Sequence, residues 1–440
     1  MNNKSTYFVK YDFNNQKLCI KTGSWKKFFV MFILIFILFE RTFIECGIST
    51  SVIYVIDFIN ICLLVSIVGK KVWKQYFPLL VSYFIIVFLG MGIAIFNYAQ
   101  WEGNLLFSII EIRSMVRFPI FFLACVICLD EITIKKIFRI LTVFFYVNSV
   151  YILYQYVTYH PPGVWMRGDL LNGFFGTTTG GNTYVNVLMI CVVSYWLCQW
   201  SQKKCSLYKF VVPLMISVAI AALIELKMYF IEVAIIYIWY IVTQKKSIKV
   251  ILQNVVVIVI TIMVGSFALQ YMYEEYPWFR DTMSLAGLFT MATSGGYSNE
   301  MDLNRLTGIF TVASDIFKYN PFDVLFGIGL GNGSVLSIGN SMTSFAKMYA
   351  GIHYSWFSAV YLFVQTGAIG LISYIFTFVY FFIKKKKNAS FSSMSQVLSI
   401  LAILLLFYGE ALKTDAGYFV YFAIACGFVY ESKEIKIKSK

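Results

Sequence analysis

Charge is scarce in this chain. Only 13% of its 440 residues are Asp, Glu, Lys or Arg, about half the share of a soluble domain, while 59% are hydrophobic. A mean hydropathy of +0.74 excludes a disordered chain and a nucleic-acid-binding domain, both of which need a polar majority. Histidine is rarer still, at two residues, and no Cys/His spacing matches a metal site. Six of the nine cysteines lie inside apolar runs and two in basic segments, which argues against a disulfide framework. A DxD metal-chelating motif, a GxxxxGK phosphate loop and a serine nucleophile elbow are also missing. What remains is a membrane protein.

A helix needs about 20 mainly apolar residues to cross a hydrocarbon core of about 30 Å. Twelve such segments are present: Phe28 to Cys46, Ile48 to Val68, Phe77 to Asn97, Leu106 to Leu129, Ile137 to Tyr159, Thr183 to Trp200, Phe210 to Ile224, Met228 to Val242, Val250 to Gln270, Trp356 to Ile383, Gln396 to Ala411 and Gly417 to Tyr430. No strand-like alternation accompanies them, and backbone groups in lipid must be paired within each segment. The expected fold is therefore all-α, a polytopic bundle of about twelve transmembrane helices. Its parts are a tail (1–27), nine spans (28–270) with a loop at 159–182, a large loop (271–355), three more spans (356–430) and a second tail (431–440).

Lysine and arginine assign the sides. The tails and alternate connections hold 26 of the 36 basic residues and five acids, a surplus of +21. The spans and remaining connections hold ten bases and 17 acids, for −7. The basic side is expected to be cytoplasmic, with both termini inside and the protein in the plasma (inner) membrane. Contact with anionic lipid headgroups accounts for the basic balance without any nucleic acid. The first 27 residues lead into an apolar run with no small-residue cleavage site, which reads as a retained anchor.

Chemistry is expected in the two long outer loops. The first contains HPPGVWMRGDLLNGFFGTTTGGN from His160 to Asn182. The second, from Tyr271 to about Ser355, exceeds ordinary loop lengths. Within it, Asn304 to Tyr319 reads as an amphipathic helix capped by Asn304 or Asp302, with Leu306, Ile309, Phe310, Ala313 and Phe317 as its apolar stripe. FGIGLGNGS follows at Phe326 to Ser334, explained equally by a tight helix connection or by ligand approach. Both histidines fall in these loops, with Arg167, Arg280 and Arg305. His160, beside two prolines, reads as a surface polar residue. His353, at the mouth of the tenth span, is placed to act as a general base.

Charges inside spans are functional candidates by default. Glu225 and Lys227 separate two spans and either serve a site or snorkel and pair. Arg113 and Arg117 share a helix face near Glu111, where internal ion pairing is the favoured reading. Asp57, Glu232, Glu40 with Arg41, and Glu410 with Lys413 and Asp415 are similar, and the last group also suits an outer site.

An arginine opening a helix, NPFDVLFGIGLGNG at Asn320 to Gly333, a histidine before the next span, and QTGAIGLISY at Gln365 to Tyr374 together resemble the O-antigen polymerases and O-antigen ligases. GFFGTTTGGN at Gly173 to Asn182 is similar to that family's other outer-loop signature. The resemblance implies a metal-independent, GT-C-like glycosyltransferase, with no cofactor, acting at the outer leaflet on undecaprenyl-diphosphate-linked glycans as donor and acceptor. It implies His353 as the base and Arg305 as a diphosphate ligand. Lys227 stands where the family carries a further arginine, Tyr354 where it has Asn, and Gln365 where it has an acid. Arg167 and Arg280 are further outer cations for the same anion. The leading expectation is a polymerase building O-antigen, capsule or exopolysaccharide. The alternatives are a ligase and, in another class, a glycan transporter or flippase. No internal repeat of two six-span halves supports the last. A length-regulating partner protein is left open.

Overall fold

The computed structural model describes residues 10–11, 17–18, 24–69, 72–162, 167–243, 248–275, 302–335 and 342–430. Apart from a two-residue antiparallel ladder pairing Lys10 with Leu18 and Tyr11 with Lys17, these residues build helices and their connections. The helices are α1 (Ser24–Glu45), α2 (Tyr54–Ile67), α3 (Val72–Gln75), α4 (Phe77–Phe96), α5 (Leu105–Cys128), α6 (Glu131–Thr158), α7 (Gly181–Ser201), α8 (Tyr208–Leu223), α9 (Lys227–Thr243) and α10 (Ile248–Glu275). The short α11 (Gly308–Thr311), α12 (Pro321–Phe326) and α13 (Ser344–Tyr349) precede α14 (Ser358–Ile383), α15 (Ser392–Tyr408) and α16 (Gly417–Cys426).

All twelve apolar segments fall on helices, and among the described residues seven helices are long and apolar enough to cross a membrane: Thr50–Ile67, Phe77–Phe96, Glu131–Thr158, Gly181–Ser201, Gln253–Glu274, Ser358–Ile383 and Ala389–Tyr408. This is a helical membrane protein by length and composition. The other five depart for two reasons. Helices α1 and α5 have the length but carry Glu40 with Arg41, and Glu111 with Arg113 and Arg117. Helices α8, α9 and α16 have 16, 17 and 10 residues.

Burial orders the bundle. All ten residues of α16 are buried, and it packs against α5, α7 and α15 as a central post. A helix apolar all round belongs inside a bundle, and α16 is aromatic enough to fill it: Tyr418 meets Phe118 and Phe121 edge-on at 5.1 and 4.9 Å. Tyr83, Tyr421 and Tyr374 chain their hydroxyls beside it at 2.6 and 3.4 Å.

Polar connections collect at two ends. At one, Lys27 pairs with Asp130, Lys204 reaches Ser390 at 2.5 Å, and Lys384 reaches the Gln75 carbonyl at 2.6 Å. At the other, Arg117 pairs with Asp415, Lys347 with Glu102 at 3.1 Å, and Arg41 bonds Thr178 at 3.3 Å. The described loops that carry Lys27, Lys204 and Lys384 thus lie at one end of the bundle.

The large loop differs from expectation. Helix α10 runs on to Glu275, and the glycine-dense stretch sinks into the bundle, with residues 327–334 buried. The reason lies in α14, which breaks at Gly367 (φ 60°, ψ −164°). The break frees the carbonyls of Val364 and Gln365, which accept from the N–H of Ile328 and Gly329 at 2.9 and 3.0 Å. Unpaired carbonyls in a membrane cost several kcal/mol each (roughly), so the loop completes the helix. A Cβ at Gly367 would lie 2.4 Å from the Leu325 backbone, so only glycine allows the approach. Gln365 closes the contact by accepting from Gly331 N–H at 2.8 Å. The two glycine motifs pack on each other, which favours the tight-connection reading of FGIGLGNGS.

The amphipathic helix expected over Asn304 to Tyr319 is also corrected. It is one α-turn, α11, continued by a π-turn over Val312–Ile316. Of the expected stripe, Ala313 and Phe317 are buried but Leu306 and Phe310 are exposed. Residues 302–307 stay irregular because Asp302 bonds His353 instead of capping a helix, and Leu303 N–H pairs with the Ile352 carbonyl at 3.2 Å.

Candidate functional site

Asp302–Arg305 and Ile352–Phe357 run side by side, and each brings one residue singled out from the sequence. His353 adopts a left-handed backbone (φ 54°, ψ 32°), a conformation costly for a non-glycine residue. Its ring stacks on Trp356 at 3.9 Å and 17°. Nδ1 lies 2.5 Å from Asp302 Oδ1, and the imidazole keeps 40% exposure. With Nδ1–H donated to Asp302, Nε2 is the ring atom left to accept a proton.

Arg305 is fixed from the other side. Its guanidinium lies 4.1 Å over the Tyr408 ring and 5.6 Å from Phe357, and donates to the Tyr408 carbonyl at 3.3 Å. It acts electrostatically on both Lys227 and Asp169. Lys227 also feels Glu225 and Asp169, so these four charges form one cluster drawn from three distant parts of the chain. Glu225 accepts from Gly168 N–H at 3.2 Å, and burial pushes its carboxyl up to about 7, with Asp169 adding to the rise. Burial likewise raises Asp169, offset by Arg305 and by Asn182, which donates to its carboxylate at 2.7 Å.

The other expected cations sit elsewhere. Arg167 donates to the Tyr159 carbonyl at 2.8 Å, contacts His160 and lies 5.0 Å over Tyr156, so it is held at the end of α6. Arg280 lies outside the described residues.

A second feature adjoins the cluster. A cavity of about 430 Å³ opens among α1, the turn at Thr50–Ile53, α5 and α7, with Glu40, Arg41, Arg113, Arg117, Tyr184 and Asp415 on its walls. At 1.5 Å per residue, Arg113 and Arg117 stand about 12 and 18 Å along α5 from Leu105, so the cavity reaches into the bundle. Arg113 binds Asp57 at 2.6 Å, and Arg117 binds Asp415 and the Lys413 carbonyl. Glu111, expected near these arginines, instead accepts from Tyr361 and Ser334. Two segments serve both features: the first loop supplies Asp169 to the cluster and Thr178 to the cavity, and the α15–α16 connection follows Tyr408 with Thr414 and Asp415.

Sequence reading singled out Arg305, Lys227, Glu225 and His353, and the structure brings the first three together beside the fourth. It missed Asp169 and the role of Asp302, which carry no motif. The in-span charges of α1 and α5 were the available signal for the cavity. Among the described residues no group of three His, Cys, Asp or Glu gathers to hold a metal ion. No protein-family model, curated protein or solved structure matches this chain.

Proposed function

We propose that the protein is a glycosyltransferase of the plasma membrane that polymerises undecaprenyl-diphosphate-linked oligosaccharide units into a surface polysaccharide, with twelve spans in a GT-C-like arrangement and its arginine-rich end outward. The observation that carries this reading is the convergence of Arg305 and Lys227 beside a segment that bears a His–Asp pair.

In the proposed step, Arg305 and Lys227 hold the diphosphate of the donor. His353 Nε2 takes the proton from the acceptor sugar's hydroxyl, whose oxygen forms a bond to the anomeric carbon. The bond from that carbon to the diphosphate oxygen breaks, and the leaving group carries away the electron pair. Charge grows on the diphosphate as it leaves, and fixed cations in a partly dehydrated cleft stabilise it at that moment. Direct displacement inverts the anomeric centre. Lysine at 227 offers a point charge where arginine offers a planar fork, so the clamp is less directional.

Purified protein in nanodiscs, given lipid-linked repeat units alone, is expected to yield a ladder of lengthening glycans. A single transfer, seen only when a different acceptor is added, identifies a ligase. Absence of any transfer, with vesicle assays showing glycolipid movement instead, overturns the transferase reading.

A further inference from the structure

We infer that the cavity of about 430 Å³ between α1, the turn at Thr50–Ile53, α5 and α7 is a sugar-binding subsite that takes a neutral hexose-type ring. Its volume falls within the range of small-ligand pockets, roughly 300–1,000 Å³. Three features of its walls select the ligand class.

The first is charge balance. Three basic residues, Arg41, Arg113 and Arg117, share the walls with three acidic ones, Glu40, Glu45 and Asp415, and Arg113 and Arg117 are already paired with Asp57 and Asp415. An anion gains little in a pocket whose bases are equalled in number by acids and of which two in three are already paired, which separates it from the Arg305 and Lys227 cluster next door. The second is unmet hydrogen bonding. Glu40 is 2% exposed with Oε2 unpartnered, and Arg117 is 7% exposed with Nε unpartnered. One is an acceptor and the other a donor, and both are too deeply buried to be left bare without cost. A hydroxyl group donates and accepts at once, so a ring bearing several satisfies such a mixed wall where a phosphate, which only accepts, does not. The third is the aromatic Tyr184, which stands on the wall under Arg41 at 5.2 Å.

The inference leans on the transferase reading only for the sugar's fate: a ring seated here belongs to a glycan whose diphosphate lies at the adjoining cluster. Binding itself is separable from transfer. Saturation-transfer NMR on the full-length protein in detergent micelles tests it with glucose, a deoxyhexose and N-acetylglucosamine as free probes, and with inorganic pyrophosphate as a competitor. At least one sugar is expected to receive saturation, and pyrophosphate to leave that signal unchanged. Arg41→Ala is expected to weaken binding about tenfold, the effect of losing one charge-assisted contact. Thr50→Trp, at the exposed rim, fills the opening without touching the buried charges and is expected to abolish the signal even if Arg41→Ala fails to fold. Displacement by pyrophosphate, sugar binding indifferent to Thr50→Trp, or no binding of any sugar each overturns the proposal. Elongation is read separately with lipid-linked units, so loss of either activity leaves the other measurable.

Discussion

The two ends of the bundle use cations differently. At the lysine-rich end, Lys26, Lys384 and Lys386 donate to the backbone carbonyls of Ser66, Gln75 and Phe381. These ammonium groups satisfy helix ends that have no further intrahelical partner, and they complement the helix dipole. At the opposite end the positive groups are mainly arginines, fewer and net outnumbered by acids across the chain's non-basic portions, and they sit on carboxylates and aromatic faces. The comparison separates quantity from placement. Lys26, Lys384 and Lys386 close helix ends, whereas Arg113, Arg117 and Arg305 are fixed in geometry, which is what recognition needs.

Substitutions test that contrast. The largest effect is expected from His353→Ala, a loss of about 10² to 10⁴ in elongation rate with the protein still folded, read from glycan ladders. Arg117→Ala is expected to cost about 3–5 kcal/mol of stability, because Asp415 is left buried without its partner. Thermal unfolding in detergent measures it, and an unchanged midpoint would mean that the arginine end is no more ordered than the lysine end. Arg305→Ala is expected to weaken donor binding by about 1.5–3 kcal/mol, with Arg305→Lys retaining part of it. A donor titration of both variants decides, and equal wild-type values would remove Arg305 from the diphosphate site.

A pH dependence follows from Glu225. Its carboxyl, ordinarily ionised above 4.5, is held up to about 7, so it is neutral below that value and negative above it. Ionisation opposes an incoming diphosphate, so affinity should fall as pH rises through about 7, by about fivefold for a close charge in a partly screened site. Pyrophosphate titrations at pH 6 and 8 read this, and Glu225→Gln should flatten the difference. The smallest effect is expected at the lysine end, where Lys386→Ala should change stability by less than about 1 kcal/mol.

Much of this architecture is written in segment length. Helices such as α4 and α14 announce themselves because about 20 apolar residues have little alternative in a bilayer. In-span charges announce a cost, and hence a purpose, but not their partners. Arg117 and Asp415 stand 298 residues apart, and nothing local in either joins them. Likewise, QTGAIG and GIGLGNG are both visible as glycine-rich words, yet only the folded chain reveals that one interrupts a helix and the other fills the gap. The stripe from Leu306 to Phe317 misled because helical spacing also fits a segment pinned by Asp302 and Leu303, two contacts that periodicity does not encode.

The interruption at Gly367 bears on how the protein is assembled. Since residues 328 and 329 supply the amides that the middle of α14 gives up, that stretch reaches its final state only when an earlier segment is seated against it. The donor segment precedes the acceptor in the chain, so it has already left the ribosome when α14 emerges, and synthesis runs in the order that docking requires.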